Sequence, residues 1–400
     1  MKTYEEALKL VLEHAQSTKP EKVNLHQAIN RVLLESVKTN HPLPPFTNSE
    51  MDGYAISIEN LATASPSTPI SLTISQTLSA GDSSQDRHLP GQAARIMTGA
   101  PLPEGSDAVV PQEDVEASEG FALFRAPATK GQFIRFAGED LPAGSIVLNR
   151  GERLRAGALG SAAATGITKL SVAKRPRVAL IATGNELVQP GTELLPGQIY
   201  NSNLYTLQAQ VEEAGGEVVK TLTAADDYES IKTAFEQCCN CDAIITSGGV
   251  SVGDKDYLRP VIEEMGHIIF WQAAIRPGKP VALGRIGGSL ILALPGNPSS
   301  SFVTFELFGR PMLLNMQGAR ITSRRSIPAT LTADVNHEPG RRSFVRVLLS
   351  FSGLAILATP TGSQRSGMIT TAAVAEGLLI IPEHQTGARS GVRARVILLD

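Results

Sequence analysis

The sequence predicts a multidomain α/β and β protein built around a central doubly wound, mainly parallel α/β domain, and three observations predict it. Strand-length apolar runs alternate with helical patterns between residues 175 and 321. Short β runs broken by Gly, Pro and Ser flank that region on both sides. The chain has 400 residues, 42% of them hydrophobic, which is too long for one ordinary domain and enough to bury several cores.

Taken in order, "MKTYEEALKLVLEHAQ" sets Tyr4, Ala7, Leu8, Val11, Leu12 and Ala15 at helical spacing with acids opposite. This is an amphipathic helix, not a signal peptide. Residues 45–140 read as a β-rich lobe, and the pieces 1–44 and 141–174 are expected to pack together as one discontinuous element. In the central region, "RPRVALIAT", "EVVKTLTA" and "CDAIITS" read as strands, and "NSNLYTLQAQVEEAGG" and "DYESIKTAFEQCC" as the helices between them. "DYLRPVIEEMG" and "HIIFWQAAI" continue the alternation, "PVALGRI" and "SLILAL" form a tight strand pair, and a helix from Pro298 to about Met316 closes the unit. Such alternation implies right-handed crossovers, with the ligand edge at the carboxyl ends of the strands. Residues 322–400, with "SFVRVLLSF", "LAILATP", "GLLIIPE" and "RARVILLD", suit a compact β-barrel or sandwich.

The formal net charge of -3 gives no general reason to expect nucleic-acid or acidic-membrane binding. No apolar run approaches the roughly 18 residues of a membrane span, and the expected location is the cytoplasm. Cys238, Cys239 and Cys241 make neither a disulfide framework nor, without a nearby histidine, a zinc set. They read as incidental thiols.

Candidate chemistry collects at the strand ends. After the first strand, Thr183 and Gly184 bring backbone close to a ligand and Glu186 projects from the same turn, although a helix-entry turn explains "ATGNEL" equally well. The second strand is followed by Asp226 and Asp227, site acids or helix caps. After the third come Ser247, Gly248 and Gly249, then Asp254 and Asp256. Glycine-lined amides hold phosphate oxygens while carboxylates hold a Mg²⁺ that bridges to the same oxygens, so acids and phosphate belong in one site.

"AIRPGKPVALG" sets Arg276 and Lys279 across a Pro-Gly turn, either facing one anion or solvated. In "LPGNPSSSF", Pro295 and Gly296 make a turn, Asn297 caps a helix with Pro298 at its first position, and the serines that follow suit a tetrahedral oxyanion. Asp52-Gly53 and the group Arg135, Glu139, Asp140 read alone as turns with solvated charges. Arg341, Arg342 and Arg346 at a strand start are an anion contact or a basic strand edge.

The motifs "PPFTNSEMDGYA", "ARIMTGAPLPEGSDAVV", "GEDLPAG", "RPRVALIATGNELV", "GQIYNSN", "ITSGGVSVGDKDY", "IRPGKPVALG" and "LPGNPSSSFVTF", in this order, closely resemble the molybdopterin molybdenumtransferases, the MoeA family that includes the gephyrin E domain. The resemblance implies four domains: a discontinuous elongated domain (1–44 and 141–174), a β-rich lobe (45–140), the α/β domain (175–321) and a C-terminal β-barrel (322–400). It implies a homodimer whose cleft lies between the α/β domain of one subunit and the lobe of the other. The implied reaction is insertion of molybdate into adenylylated molybdopterin with Mg²⁺-dependent release of AMP. Molybdopterin adenylyltransferase and apo-molybdoenzymes are the implied protein partners.

By motif, the resemblance makes Asp52, Asp140, Glu186, Asp226 and Asp256 the acidic set needed for activity. Glu186, Asp226, Asp254 and Asp256 are the metal candidates. Thr183, Gly184, Ser247, Gly248 and Gly249, with Pro295 and Pro298, line the adenylylated pterin. Arg276, Lys279 and Ser300 face molybdate, with Arg346, Ser363 and Ser366 added from the barrel. Arg276 stands where the family often has Lys, and Asn185 where many members have Asp, so Asn185 is not counted as a ligand. A Mg²⁺-dependent nucleotide pyrophosphatase and a non-catalytic dimeric scaffold are the alternative functions.

Overall fold

In the computed structural model, residues 1–83, 87, 89–250 and 257–399 are described. The chain divides into two units: Met1–Glu35, Arg150–Ala156 and Lys169–Asp400 form one, Ser36–Asn149 and Gly157–Thr168 the other. Helix α1 (Tyr4–His14) opens with a capping box in which Thr3 and Glu6 exchange side-chain and backbone hydrogen bonds. Its apolar stripe, Ala7 and Val11, is buried in the same cluster as Leu180, Phe308 and Leu378. In this unit Pro20–Asn24 pairs antiparallel with Lys169–Ala173; in the other, Val37–Lys38 pairs with Ile146–Leu148.

The smaller unit holds β1 (Gly53–Ile56), β2 (Ile70–Leu78), β3 (Gln92–Ile96), β4 (Ala108–Pro111), β5 (Val115–Ser118) and β6 (Phe121–Phe124), in one sheet of order β4-β1-β3-β2-β6-β5. Successive side chains point to opposite faces. Tyr54 and Ile56 therefore join one core with Leu72 and Phe124, and Ala55 joins another with Ala94 and Ile96. Most of helix α2 (Ala156–Ala164) belongs to the same unit.

The larger unit contains the predicted alternation: β7 (Arg177–Thr183), α3 (Ser202–Glu213), β8 (Glu217–Ala224), α4 (Tyr228–Glu236), β9 (Ala243–Ser247), α5 (Leu258–Met265), β10 (Gly266–Trp271), β11 (Ala282–Ile286) and β12 (Ser289–Leu294). The sheet order is β8-β7-β9-β12-β11-β10, and only β11 runs against the rest. β7 thus has its successors on either side, which opens a crevice at the carboxyl ends of β7 and β9. Branched residues bury both faces of the sheet, Leu180 and Ile245 in one core and Ile181 and Ile244 in the other.

The closing helix departs from the sequence expectation in one respect. α6 (Pro298–Thr304) and α7 (Arg310–Met316) are joined by a π-helical turn, Phe305–Gly309. Pro311 has no N–H to offer the fourth residue back, and the Arg310 N–H bonds to the Phe305 carbonyl five residues back instead.

Beyond it, β13 (Ser326–Leu331), β14 (Arg342–Ser352), β15 (Ala355–Pro360), β16 (Gly377–Ile381) and β17 (Arg393–Leu398) pair in a ring, since β14 meets both β15 and β16. This closed barrel settles the sequence's choice of barrel or sandwich. Ile275–Arg276 adds to the start of β14, and helix α8 (Ile369–Ala373) lies in the connection before β16.

The thiols are consistent with an incidental role. Cys238 and Cys241 are buried and Cys239 is exposed. Burial pushes the Cys238 thiol up to about 11. At pH 8 a disulfide reagent should therefore modify Cys239 alone in the folded protein and all three thiols after denaturation; prompt reaction of two or more in the folded state would contradict the buried placement.

Candidate functional site

A cavity of about 440 Å³ occupies the crevice at the carboxyl ends of the parallel strands. It gathers Thr183 and Glu186 from the turn after β7, Asp226 from that after β8, and Ser247, Gly248 and Gly249 from that after β9. Asn201 and Asn203 from the start of α3, and Pro295, Gly296 and Pro298 from the turn before α6, complete its wall. Residues distant in sequence meet here because neighbouring parallel strands deliver their following loops to one edge.

The turns are tied together. The Asn185 backbone N–H donates to Asp226 Oδ2 at 3.4 Å, and the Asp226 N–H donates to Asn185 Oδ1 at 3.1 Å. This clasp joins the loops after β7 and β8 and keeps Glu186 and Asp226 on one cavity. Gly184 does not line the cavity; a Cβ there would meet the Glu186 carboxylate at 2.7 Å, so glycine lets that carboxylate fold back over the turn. Gly248, at φ +99°, would place a Cβ 2.7 Å from the Thr183 carbonyl and hydroxyl oxygens. Only glycine suits both that conformation and that closeness.

The adjacent acids Asp226 and Asp227 divide their work. Asp227 caps α4, accepting from the Ser230 N–H at 2.8 Å and the Ser230 hydroxyl at 2.7 Å, and these bonds hold its carboxyl below the usual range. Asp226 faces the cavity. Asp254 and Asp256 lie outside the described residues. Among the described residues no three His, Cys, Asp or Glu side chains form a metal cluster. Glu186 and Asp226 alone still suit Mg²⁺, which is held by one or two carboxylates together with substrate phosphates.

The oxyanion candidates do not line this cavity. Arg276 is exposed, 3.9 Å from Glu338, and lines a second hollow of about 210 Å³ with Ser343, Gly362 and Gln364. Lys279 is exposed and lines neither. The serines after Pro298 turn inward: the Ser299 hydroxyl donates to the Met368 carbonyl at 2.7 Å, its N–H donates to the Ser366 carbonyl, and Ser300 is buried in the helix. Ser363 and Ser366 thus belong to a barrel loop, and Ser366 packs on the start of α6.

Arg346 is fully buried rather than on a strand edge. Its guanidinium donates to Thr371 Oγ1 at 2.9 Å and the Ser363 carbonyl at 3.1 Å, and burial lowers its pKa from the usual arginine value. It holds the loop that carries both serines.

In the smaller unit, Asp52 accepts from the Thr98 N–H at 2.7 Å and the Thr98 hydroxyl at 2.8 Å, which hold its carboxyl low. Asp140 is exposed, with its N–H on the Leu43 carbonyl at 3.0 Å.

Two cavity residues escaped the sequence reading. Asn201 and Asn203 looked like helix-start residues, but neither side chain caps α3. Asn201 Nδ2 reaches Thr223 Oγ1 at 3.4 Å, and Asn203 Nδ2 reaches both Ser247 Oγ and the Gly296 carbonyl at 2.7 Å. Two asparagines around one serine, after a strand, were the available signal.

Known proteins share this plan. Residues 2–166 match the MoeA N-terminal region (domain I and II), 179–315 a probable molybdopterin binding domain, and 328–399 the MoeA C-terminal region (domain IV). Molybdopterin molybdenumtransferase 2 of Mycobacterium tuberculosis is 38% identical, with 99% of each chain covered. The molybdopterin molybdenumtransferase of Bacillus subtilis is 33% identical over 99% of this chain and 93% of its own. The crystal structure of the molybdopterin biosynthesis moeA protein from Pyrococcus horikoshii OT3 superposes with a TM-score of 0.88 at 31% identity, covering 100% of both chains. End-to-end agreement in sequence and fold leaves one conclusion: the chain belongs to the MoeA family.

Proposed function

We propose that the protein is a molybdopterin molybdenumtransferase, which inserts molybdate into adenylylated molybdopterin and releases AMP to form molybdenum cofactor. The observation that carries this reading is the single cavity in which Glu186 and Asp226 meet the Gly248–Gly249 turn, in a chain that aligns along its length with proteins of that name. Glycine amides at such a turn suit phosphate oxygens. Glu186 and Asp226, with Asp254 and Asp256 as further candidates, would hold Mg²⁺, which neutralises charge on a phosphoanhydride when bound.

The chain's own residues position the substrate. The Asn185–Asp226 clasp fixes the spacing of the acidic turns, and Asn203 fixes the serine-glycine turn against Gly296. Arg276 and Lys279 are the accessible cations for a tetrahedral dianion, while Arg346 acts by holding the Ser363 to Ser366 loop. The family resemblance supports a homodimer in which the partner subunit's Asp52 and the partner subunit's Asp140 complete the cleft. It also supports a cytoplasmic reaction between the molybdopterin adenylyltransferase and apo-molybdoenzymes. No helix among the described residues is long and apolar enough to cross a membrane.

The test is to incubate the purified chain with adenylylated molybdopterin, molybdate and Mg²⁺, following AMP and pterin-bound molybdenum together. Equal appearance of the two is expected. AMP without molybdenum insertion would instead identify a pyrophosphatase, and no AMP would end the reading.

A further inference from the structure

The cavity wall contains an oxygen whose orientation is fixed and which has no hydrogen-bond partner among the described residues. Asn203 Nδ2 donates to Ser247 Oγ and to the Gly296 carbonyl, both at 2.7 Å. A carbonyl can only accept, so the amide cannot be flipped without setting oxygen against oxygen. Asn203 Oδ1 is therefore a committed acceptor, and it is buried, with no hydrogen-bond partner among the described residues. Asn201 Oδ1, in a side chain only 2% exposed, is likewise unpartnered, as is Thr183 Oγ1. All three residues line the cavity.

A buried acceptor without a donor costs free energy, and a ligand that supplies the donor recovers it. Phosphate and molybdate oxygens are acceptors and would be repelled at these atoms. An amino group on a nitrogen heterocycle carries two hydrogens and can serve both asparagine oxygens, whereas a hydroxyl offers one. Resting on the function proposed above, we infer that Asn203 is a specificity-determining residue: its Oδ1 receives an N–H of the substrate's amino-bearing ring, with Asn201 Oδ1 as second acceptor. The phosphates are thereby directed away from the asparagines toward the glycine turn. Two rings of the adenylylated substrate carry this chemistry, the adenine and the pterin.

Calorimetric titration separates the cases. AMP, purine riboside 5′-monophosphate (the same nucleotide without the exocyclic amine) and non-adenylylated molybdopterin are titrated into the wild-type chain and Asn203→Ala, with thermal melts to show that the variant folds. If the adenine donates, wild type prefers AMP over the amine-free nucleotide by about tenfold and the variant loses that preference. If the pterin donates, the variant weakens molybdopterin about tenfold more than it weakens either nucleotide, and the two nucleotides lose the same factor. A loss of equal factor for all three ligands would show that Asn203 merely ties two turns, and no loss for any would show that it does not face the ring; either overturns the inference. Asn203→Ser replaces the alanine variant if the latter does not fold. Should wild type bind none of the ligands, the proposed function itself fails, an outcome distinct from binding that ignores residue 203.

Discussion

Glu186→Ala and Asp226→Ala should each lower AMP release by roughly 10²-fold or more, with the fold intact. Both carboxylates line the cavity to which the proposed reaction assigns the phosphoanhydride, and among the described residues the hydrogen bond to these carboxylates is the 3.4 Å clasp from the Asn185 N–H to Asp226. Glu186 is exposed, and surface substitutions of that kind usually shift stability by no more than about 0.5 kcal/mol. Asp226→Asn sharpens the test, because it keeps an oxygen for the Asn185 N–H while removing the charge. Loss of turnover in Asp226→Asn with an unchanged melting curve assigns the effect to charge. Near wild-type turnover in all three variants would mean that these acids do not serve the reaction.

The largest stability effect is expected at Glu306. This residue sits in the π turn and is 7% exposed; it accepts from Gln210 Nε2 at 2.8 Å through Oε1 and from Arg324 Nε at 2.6 Å through Oε2. The second carboxylate near Arg324, Glu213, is 3.9 Å away with a largely exposed side chain, so water screens it. Removing the buried partner takes a charged acceptor from the Arg324 guanidinium, and takes from the Gln210 amide one of its two acceptors, the Phe302 carbonyl at 3.2 Å being the other. Glu306→Ala should therefore destabilise the larger unit by about 2–3 kcal/mol, the scale of a lost charge-assisted hydrogen bond, and Glu306→Gln, which keeps an acceptor, by less. Urea unfolding followed by fluorescence measures both. Because the same continuous helix starts at Pro298 on the cavity wall, the loss should also weaken AMP binding; a shift below about 0.5 kcal/mol would contradict the assigned role of the pair.

The sheet and barrel were legible because hydrophobic period and turn residues fix strand and helix locally. β8 coincides with "EVVKTLTA", and the helix after Asn297 runs to Met316 as expected. The π turn was not legible, since it arises from what Pro311 cannot donate rather than from any pattern of apolar residues. At the site, the gathering of Thr183, Glu186, Asp226 and Ser247 followed from strand adjacency once the alternation was read. Side-chain direction did not follow. Nothing in "SSS" says that Ser299 turns to a barrel loop, and Arg346, on the face of β14 opposite the barrel-core residues Val345 and Val347, is a buried brace because the Ser363 loop and Thr371 cover it. Asn203 was overlooked for a similar reason: polar residues at a helix start suggest a cap, and only the neighbouring turns reveal that its amide is spent on them.

The most direct measurement is a crystal structure of the chain with AMP and Mg²⁺. Phosphate density within hydrogen-bonding reach of the Gly248–Gly249 amides, and metal density between that phosphate and the carboxylates of Glu186 and Asp226, is the expected result. Nucleotide seated elsewhere on the molecule, with this cavity holding only solvent, would contradict the account.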